Sequence, residues 1–403
     1  MSLAASRGEP RRVALLRPLR VVRMCLASDS PMKTTTSNKL GITLAAVLAL
    51  IILPVRVDAS PPQYTVTVLG GLGGTSSQAY GINASGQVAG QSYLTGDGSY
   101  HAVRWTGTTP TDLGTLGGSL SASFGINDSG QAAGWAYTAG GGGNNHTVRW
   151  TGTTPTDLGT LGGSISTGLA INASGQVTGN SQTTGNSARH AVRWTGTTPT
   201  DLGTLGGIYS AGLGINTSGQ IAGWAYTAGG VSHAVRWTGT SKTDLGTLGG
   251  NASEGHSIND AGQVAGSAQK ISNKKHAVRW TGTTPTDLGT LGGTESEGYG
   301  INAFGDVTGM SWTTGDATFN AFLYTDGTMY DLNALLLPGS GVTGLVLGFY
   351  GNSINDFGQI AATGTINGQA RALRLDPVAA PEPSSAMLVI GSGLVFVLRR
   401  RRV

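Results

Sequence analysis

From Tyr64 to Asp376 the chain is a succession of short runs in which apolar and polar side chains alternate, each closed by a cluster of Gly, Asn, Thr or Pro. A period of two places successive side chains on opposite faces of a strand, and the intervening clusters are turn formers. One run is Ala122-Ser-Phe-Gly-Ile-Asn127, which turns through Asp128-Ser-Gly130 and leaves as Gln131-Ala-Ala-Gly-Trp-Ala-Tyr137. A variable loop follows, then His-x-Val-Arg-Trp, a Thr-Gly-Thr-Thr-Pro-Thr turn and Asp-Leu-Gly-Thr-Leu. The pattern predicts two hairpins, four strands in all.

This unit recurs every 43 to 45 residues. The Ile-Asn-x-x-Gly turn occurs seven times, at Asn83, Asn127, Asn172, Asn216, Asn259, Asn302 and Asn355. The third strand has five clear copies, opened by His101, His146, His190, His233 and His276, and two degenerate ones, Asn320 to Tyr324 and Gln369 to Leu375. A four-stranded unit of about 44 residues is the length of one propeller blade. The chain opens on a fourth strand, Tyr64 to Leu69, and closes on a third, Ala370 to Leu375. Pairing these ends would complete a seventh blade and remove its open edge. The predicted fold is therefore all-β, a seven-bladed β-propeller over residues 64–376 closed between its N- and C-terminal strands; the alternative is a β-solenoid.

Composition becomes informative once the ends are set aside. Residues 32–59 carry Lys33 and Lys39, the apolar run Leu40 to Leu53, and the small residues of Val57-Asp58-Ala59, which together predict a signal peptide cut after Ala59. Residues 1–31 are Arg-rich, precede a second methionine, and are expected to be a misassigned start or a disordered extension. The single cysteine, Cys25, falls there, leaving the mature chain without a thiol or disulfide. The whole chain has a net charge of +4, yet Ser60 to Ala380 holds 12 Lys and Arg against 17 Asp and Glu, a net of −5. Without a basic stripe, no nucleic-acid partner is expected, because phosphate contacts supply most of that affinity.

Residues 377–403 form a second address. Pro381, Glu382 and Pro383 precede the apolar stretch Ala386 to Leu398, which meets Arg399, Arg400, Arg401 and Arg402. As a helix this stretch reaches only about 20 Å at ~1.5 Å per residue, short of a hydrocarbon core of roughly 30 Å, so membrane association through it would be transient. The tail resembles the PEP-CTERM sorting signal of exopolysaccharide-producing Gram-negative bacteria. That resemblance implies an exosortase-type processing partner, export through the inner membrane, and residence on the cell surface or in the extracellular matrix. A plain membrane anchor is the other reading of the same segment.

Most repeated side chains read as structural. Trp105, Trp150, Trp194, Trp237 and Trp280 are expected to pack between neighbouring blades; as sugar platforms they would have to be exposed. The histidines are expected to be hydrogen-bonded rather than metal-bound, since copies spread around a ring cannot share an ion. Arg104 and Asp112, with their counterparts, are expected to form recurrent ion pairs. Gly-Gly pairs such as Gly117-Gly118 mark passages between blades, and the Asn turns lack the ligand run of a calcium loop. No cofactor or metal is predicted, and His256, Glu254, Glu295 and Glu297 read as surface variation.

Units running from His-Ala-Val through Asp-Leu-Gly-Thr-Leu-Gly-Gly to Gly-Ile-Asn-x-x-Gly-Gln resemble the HAF family of bacterial extracellular repeat proteins over roughly Tyr64 to Asp376. Here Val-Arg mostly replaces the family's Phe-Leu or Phe-Val, which returns at Ala321-Phe322-Leu323. The resemblance implies an extracellular location and no reaction. What differs among units is the stretch between second and third strands, which yields Tyr100, Asn145, Arg189, Lys270, Lys274, Lys275 and Phe319 as candidate binding-face residues. The expected function is a non-catalytic structural, adhesive or polysaccharide-associated matrix protein, with exopolysaccharide a possible partner. The alternative is an enzyme acting on a matrix polysaccharide, which would need two carboxylates about 5 to 9.5 Å apart.

Overall fold

A computed structural model describes residues 61–140 and 143–378. The extension 1–31, the signal segment 32–59 with Ala59, and the tail beyond Val378, with Pro381, Glu382, Pro383 and the Arg399 to Arg402 run, lie outside the described residues. The described chain is all-β, with 28 strands and two single-turn 3-10 segments. Among the described residues no helix is long and apolar enough to cross a membrane.

Each full repeat supplies a first strand of ten residues, such as Gly117–Ile126, a second and third of seven, Ala132–Thr138 and Asn145–Thr151, and a short fourth, Thr154–Asp157. They pair antiparallel in that order. Grouped by repeat, the strands form seven sets of four, but as hydrogen-bonded sheets they number six rather than the expected seven. Five sheets have four strands; the sixth has eight because one parallel bridge, Arg189 to Tyr209, joins repeat 3 (162–203) to repeat 4 (206–244). The terminal strands meet: Tyr64–Val68 pairs antiparallel with Gln369–Pro377, Tyr64 opposite Pro377 and Val68 opposite Leu373.

The second and third strands are longer than their turn residues suggested. Tyr100, Asn145, Arg189, Lys275 and Phe319 each open a third strand, and Lys270 ends a second one. Of the candidate binding-face residues only Lys274 lies in a connecting loop. The Gly-Gly pairs are likewise not linkers. Gly117, at φ +94°, starts the first strand, and a Cβ on Gly118 would come within 2.5 Å of the Tyr137 Cβ.

Burial follows the repeat. All five repeated tryptophans are 0% exposed. Trp105 donates its indole N–H to the carbonyl of Gly70 in the preceding unit at 2.6 Å, and Trp237 does the same to Leu202 at 3.1 Å. Trp280 packs with Ala222, Ala234 and Leu245 of the preceding repeat. A ring wholly removed from water cannot stack on a sugar, so these tryptophans hold neighbouring repeats together.

The asparagine turns link the repeats at one end. Asn83 Nδ2 donates to Asn127 O, Asn127 to Asn172 O, Asn172 to Asn216 O, Asn216 to Asn259 O and Asn259 to Asn302 O. Asn355 Nδ2 donates to Asn83 O, joining the last turn to the first. Between Asn302 and Asn355 the link is made by Asn352, whose Nδ2 bonds Ile301 O. With 3% of Asn83 exposed and its amide engaged, the Asn-x-Ser sequence there is turn chemistry.

Candidate functional site

Two ends of the repeats must be compared. At the asparagine end, a cavity of about 220 Å³ is lined by the Ile-Asn residues of every repeat. Its carboxylates are engaged: Asp128, Asp260 and Asp356 each accept a backbone N–H, from Ala84, Thr217 and Ala303 at 2.8 to 2.9 Å. The Ile-Asn pair is the same in all seven repeats, and that uniformity is what joining the repeats requires.

The other end is where the repeats differ. Opposite partners in a sheet share a face, so the pairing defines a row of aligned positions in each repeat. On the second strand the outer position is Tyr93, Tyr137, Gln182, Tyr226, Gln269 or Trp312, opposite Tyr100, Asn145, Arg189, Ser232, Lys275 or Phe319 of the third. Two residues inward stand Gln91, Trp135, Asn180, Trp224, Ser267 and Met310, opposite Gln78, Ala122, Thr167, Ala211, Glu254 and Glu297 of the first strand. The candidate residues at third-strand starts therefore belong to one surface, with a second row that the sequence reading did not single out. The signal was present: Gly-Trp-Ala-Tyr twice puts aromatics two apart on one face of the second strand, and Gly-Gln-Ser-Tyr and Gly-Met-Ser-Trp put one aromatic at the outer position.

These rows meet across repeats. Tyr93 and Tyr100 lie 5.3 Å apart, and Tyr100 is 6.3 Å from Trp135. Asn145 Nδ2 donates to Ser166 O at 2.7 Å, and Ser232 Oγ donates to Ser253 O at 3.4 Å. Trp135 with Tyr137 and Trp224 with Tyr226 form matching tilted pairs at 5.3 and 5.5 Å, and Trp312 lies 5.1 Å from Phe319. Trp135, Trp224 and Trp312 are half-buried, unlike the five repeated tryptophans.

At the centre of this end a β-bulge aims one residue per repeat inward. Between Ser123 opposite Gly134 and Gly125 opposite Ala133, Phe124 is the extra residue; Tyr80, Leu169, Leu213, His256 and Tyr299 occupy the same place. An unpaired bulge residue is free to be re-aimed. The facing glycine is obligatory, because a Cβ on Gly134 would sit 1.9 Å from Ala122 O. The aromatic plug runs Tyr80 to Phe124 at 5.0 Å, Phe124 to Tyr350 at 5.2 Å, Phe349 to His256 at 4.5 Å and His256 to Tyr299 at 5.3 Å.

His256 is thus not surface variation: its side chain is 1% exposed. Burial lowers its pKa to about 4, against the opposing charge of Glu297. Glu254 is also withdrawn from solvent, and desolvation raises its pKa although Lys275 pulls the other way. Burial disfavours the Lys275 ammonium, but Glu297 and Glu254 outweigh it and raise its pKa. Lys275 Nζ bonds Glu297 Oε1 at 3.2 Å while the Tyr299 hydroxyl donates to Oε2 at 3.0 Å. Lys270 pairs with Asp287 at 3.3 Å and Lys274 with Glu295 at 3.9 Å. In repeats 5 (249–287) and 6 (292–331) each of these three lysines hence has a carboxylate partner.

The expected Arg104–Asp112 pairs do not form. Asp112 stands opposite Val103, so it shares a face with His101 and not with Arg104. His101 Nδ1 meets the Asp112 carboxylate at 2.9 Å, and the contact recurs at His146, His190, His233 and His276. Arg104 instead donates to Gly130 O at 2.7 Å. Among the described residues no three His, Cys, Asp or Glu side chains are grouped to hold a metal ion.

Residues 379–402 match the PEP-CTERM protein-sorting motif. That motif implies processing by an exosortase and export across the inner membrane to the cell surface or extracellular space. No curated protein matches the chain. Among solved structures it is similar to a lectin from Burkholderia pseudomallei, at 11% identity and a TM-score of 0.42 over 80% of this chain and 98% of that one. The β-propeller domain of the Trilobed protease from Pyrococcus furiosus gives 10% and 0.41 over 76% and 86%, and Aleuria aurantia lectin 13% and 0.37 over 65% and 96%. Likeness this distant carries no argument about function; what is established is an all-β protein that ends in an exosortase sorting motif.

Proposed function

We propose that the mature protein is a seven-bladed propeller of HAF-type repeats, non-catalytic, that binds polysaccharide of the extracellular matrix through the variable end of its repeats. The cyclic contacts support the propeller: Asn355 bonds Asn83, and the first and last strands pair. A solenoid gives no reason for either. The observation that carries the binding reading is the placement of variation. Repeats whose Ile-Asn turns and buried tryptophans recur differ along the two aligned rows at one end, and those rows hold half-buried tryptophan and tyrosine beside amides, the kind of surface on which a pyranose ring stacks while its hydroxyls bond.

A hydrolytic reading has less support. Both oxygens of Glu297 are engaged, by Lys275 and Tyr299, which leaves it poorly placed to attack a glycosidic carbon or activate water. The test is affinity electrophoresis through gels holding the producing organism's exopolysaccharide. The protein should be retarded, and Trp135→Ala with Trp224→Ala should restore free mobility while the fold is kept. Unretarded wild-type protein would refute the reading, and release of reducing ends, abolished by Glu297→Gln, would replace it with the enzymatic one.

A further inference from the structure

The charges at the variable end are unevenly balanced. Three lysines there each lie within 4 Å of a carboxylate, Lys270 with Asp287, Lys274 with Glu295 and Lys275 with Glu297. Arg189, which opens the third strand of repeat 3, has neither an ion-pair partner nor a side-chain hydrogen bond among the described residues. It is half-buried and stands opposite Gln182, whose side-chain oxygen also lacks a partner. A partly buried guanidinium without an anion is an incomplete interaction, because its five donors need acceptors and its charge a counter-ion.

Its surroundings suggest what completes it. The backbone bridge from Arg189 reaches Tyr209, which is 42% exposed. Tyr209 stacks edge-on against Tyr226 at 5.6 Å, and Tyr226 lies 5.5 Å from Trp224. On the plug side, burial raises the Tyr350 pKa while the charge of Arg189 opposes it, so the guanidinium is felt at the centre of the same surface. Arg189 holds the place that Tyr100 holds in repeat 1, where that side chain meets Trp135, the counterpart of Trp224. A planar fork donor on a strand bridged to this aromatic set, opposite an amide, matches a ring that carries a carboxylate: the fork takes both oxygens and the aromatics take the C–H face.

We propose that Arg189, Gln182, Tyr209, Tyr226 and Trp224 form a subsite for a carboxylate-bearing sugar residue, a uronate, in an acidic polysaccharide. The inference rests on the polysaccharide-binding reading above and narrows its ligand. The net charge of −5 over Ser60 to Ala380 works against unspecific attraction of a polyanion. Recognition therefore depends on this one local cation, not on the field of the whole domain.

The probes are the organism's exopolysaccharide and the same polymer after its carboxyl groups have been reduced to hydroxymethyl groups, with polyglutamate as a carboxylate polymer that has no sugar. Tryptophan emission and calorimetry follow binding to the mature protein. Reduction of the polymer, or Arg189→Gln, should weaken binding at least about tenfold, Arg189→Lys should be intermediate because it keeps the charge and loses the fork, and Lys242→Gln, on the fourth strand of repeat 4 opposite Trp237, should leave binding within about twofold. Equal binding of native and reduced polymer, with Arg189→Gln unchanged, overturns the uronate subsite while polysaccharide binding stands. Equal competition by polyglutamate overturns it in favour of charge alone. No binding of either polymer overturns both.

Discussion

The His256 imidazole is removed from water beside Phe349 and Tyr299, and neither ring nitrogen has a well-formed hydrogen bond, although the Phe349 backbone lies close enough to favour the charged ring slightly. The groups facing it are Glu254 at 3.9 Å, Glu297, Lys275 and Tyr299. With a pKa near 4 instead of the usual 6.5, the folded protein binds fewer protons here than the unfolded chain between those values. Stability contributed by neutral His256 is present above pH 6.5 and is lost as the pH falls toward 4, by at most about 3 kcal/mol at ~1.4 kcal/mol per pH unit. Thermal melts at pH 7 and pH 4.5 should show a smaller drop for His256→Phe than for the parent. Glu254, whose raised pKa acts in the opposite direction, touches His256, and the same comparison in a Glu254→Gln background removes its contribution. Equal drops would assign the acid sensitivity to other groups.

Among the elements, the strand Tyr64–Val68 contributes more than its five residues suggest. It covers the edge of Gln369–Pro377, and Tyr64 is 2% exposed in a cluster with Leu335, Leu373 and Leu375. Deleting residues 61–68 opens that edge and empties the Tyr64 site, a loss of roughly 3 to 5 kcal/mol for one large buried side chain before the strand pairing is counted. Urea unfolding should show the midpoint displaced accordingly; a truncated protein with the parent midpoint would mean that the terminal pairing does not close the domain. This pairing was legible in the sequence because it depends on strand order, which the repeat phrases carry directly. The Asn turns and the buried tryptophans were legible for the same reason. What the repeat could not convey is where a pairing register slips: the bulge that turns Phe124 and His256 inward leaves no local signature beyond the second-strand glycine, Gly134 or Gly266, opposite the residue before it. A solvent-facing reading of His256, Glu254 and Glu297 followed from their irregularity alone; His256 is the bulge residue and is buried, whereas Glu254 and Glu297 are paired in register and half-buried. The Arg104–Asp112 pairing failed on a similar point, since adjacency of strands does not fix which face an Asp occupies until the register places it opposite Val103.

Over the whole molecule, one end of the repeats is uniform and the other varied, and the chain finishes in a sorting motif over residues 379–402. These two properties act at different stages. The motif implies processing by an exosortase, and the 13-residue apolar stretch Ala386 to Leu398 falls short of the ~20 residues that a membrane-spanning helix needs, so the sequence predicts only transient membrane association. Among the described residues no helix is long and apolar enough to cross a membrane, and on the polysaccharide-binding reading the processed protein is held by its ligand. The variable end would then be the means by which the protein stays in place, and retention should depend on the polysaccharide and not on the lipid. Intact-mass measurement on fractionated cells is expected to find an extracellular species that begins at Ser60 and lacks everything beyond about Pro383, released from the matrix when exopolysaccharide synthesis is blocked. A membrane-bound species still carrying Arg399 to Arg402 would make the tail an anchor, and the variable end would then face partners in the cell envelope instead.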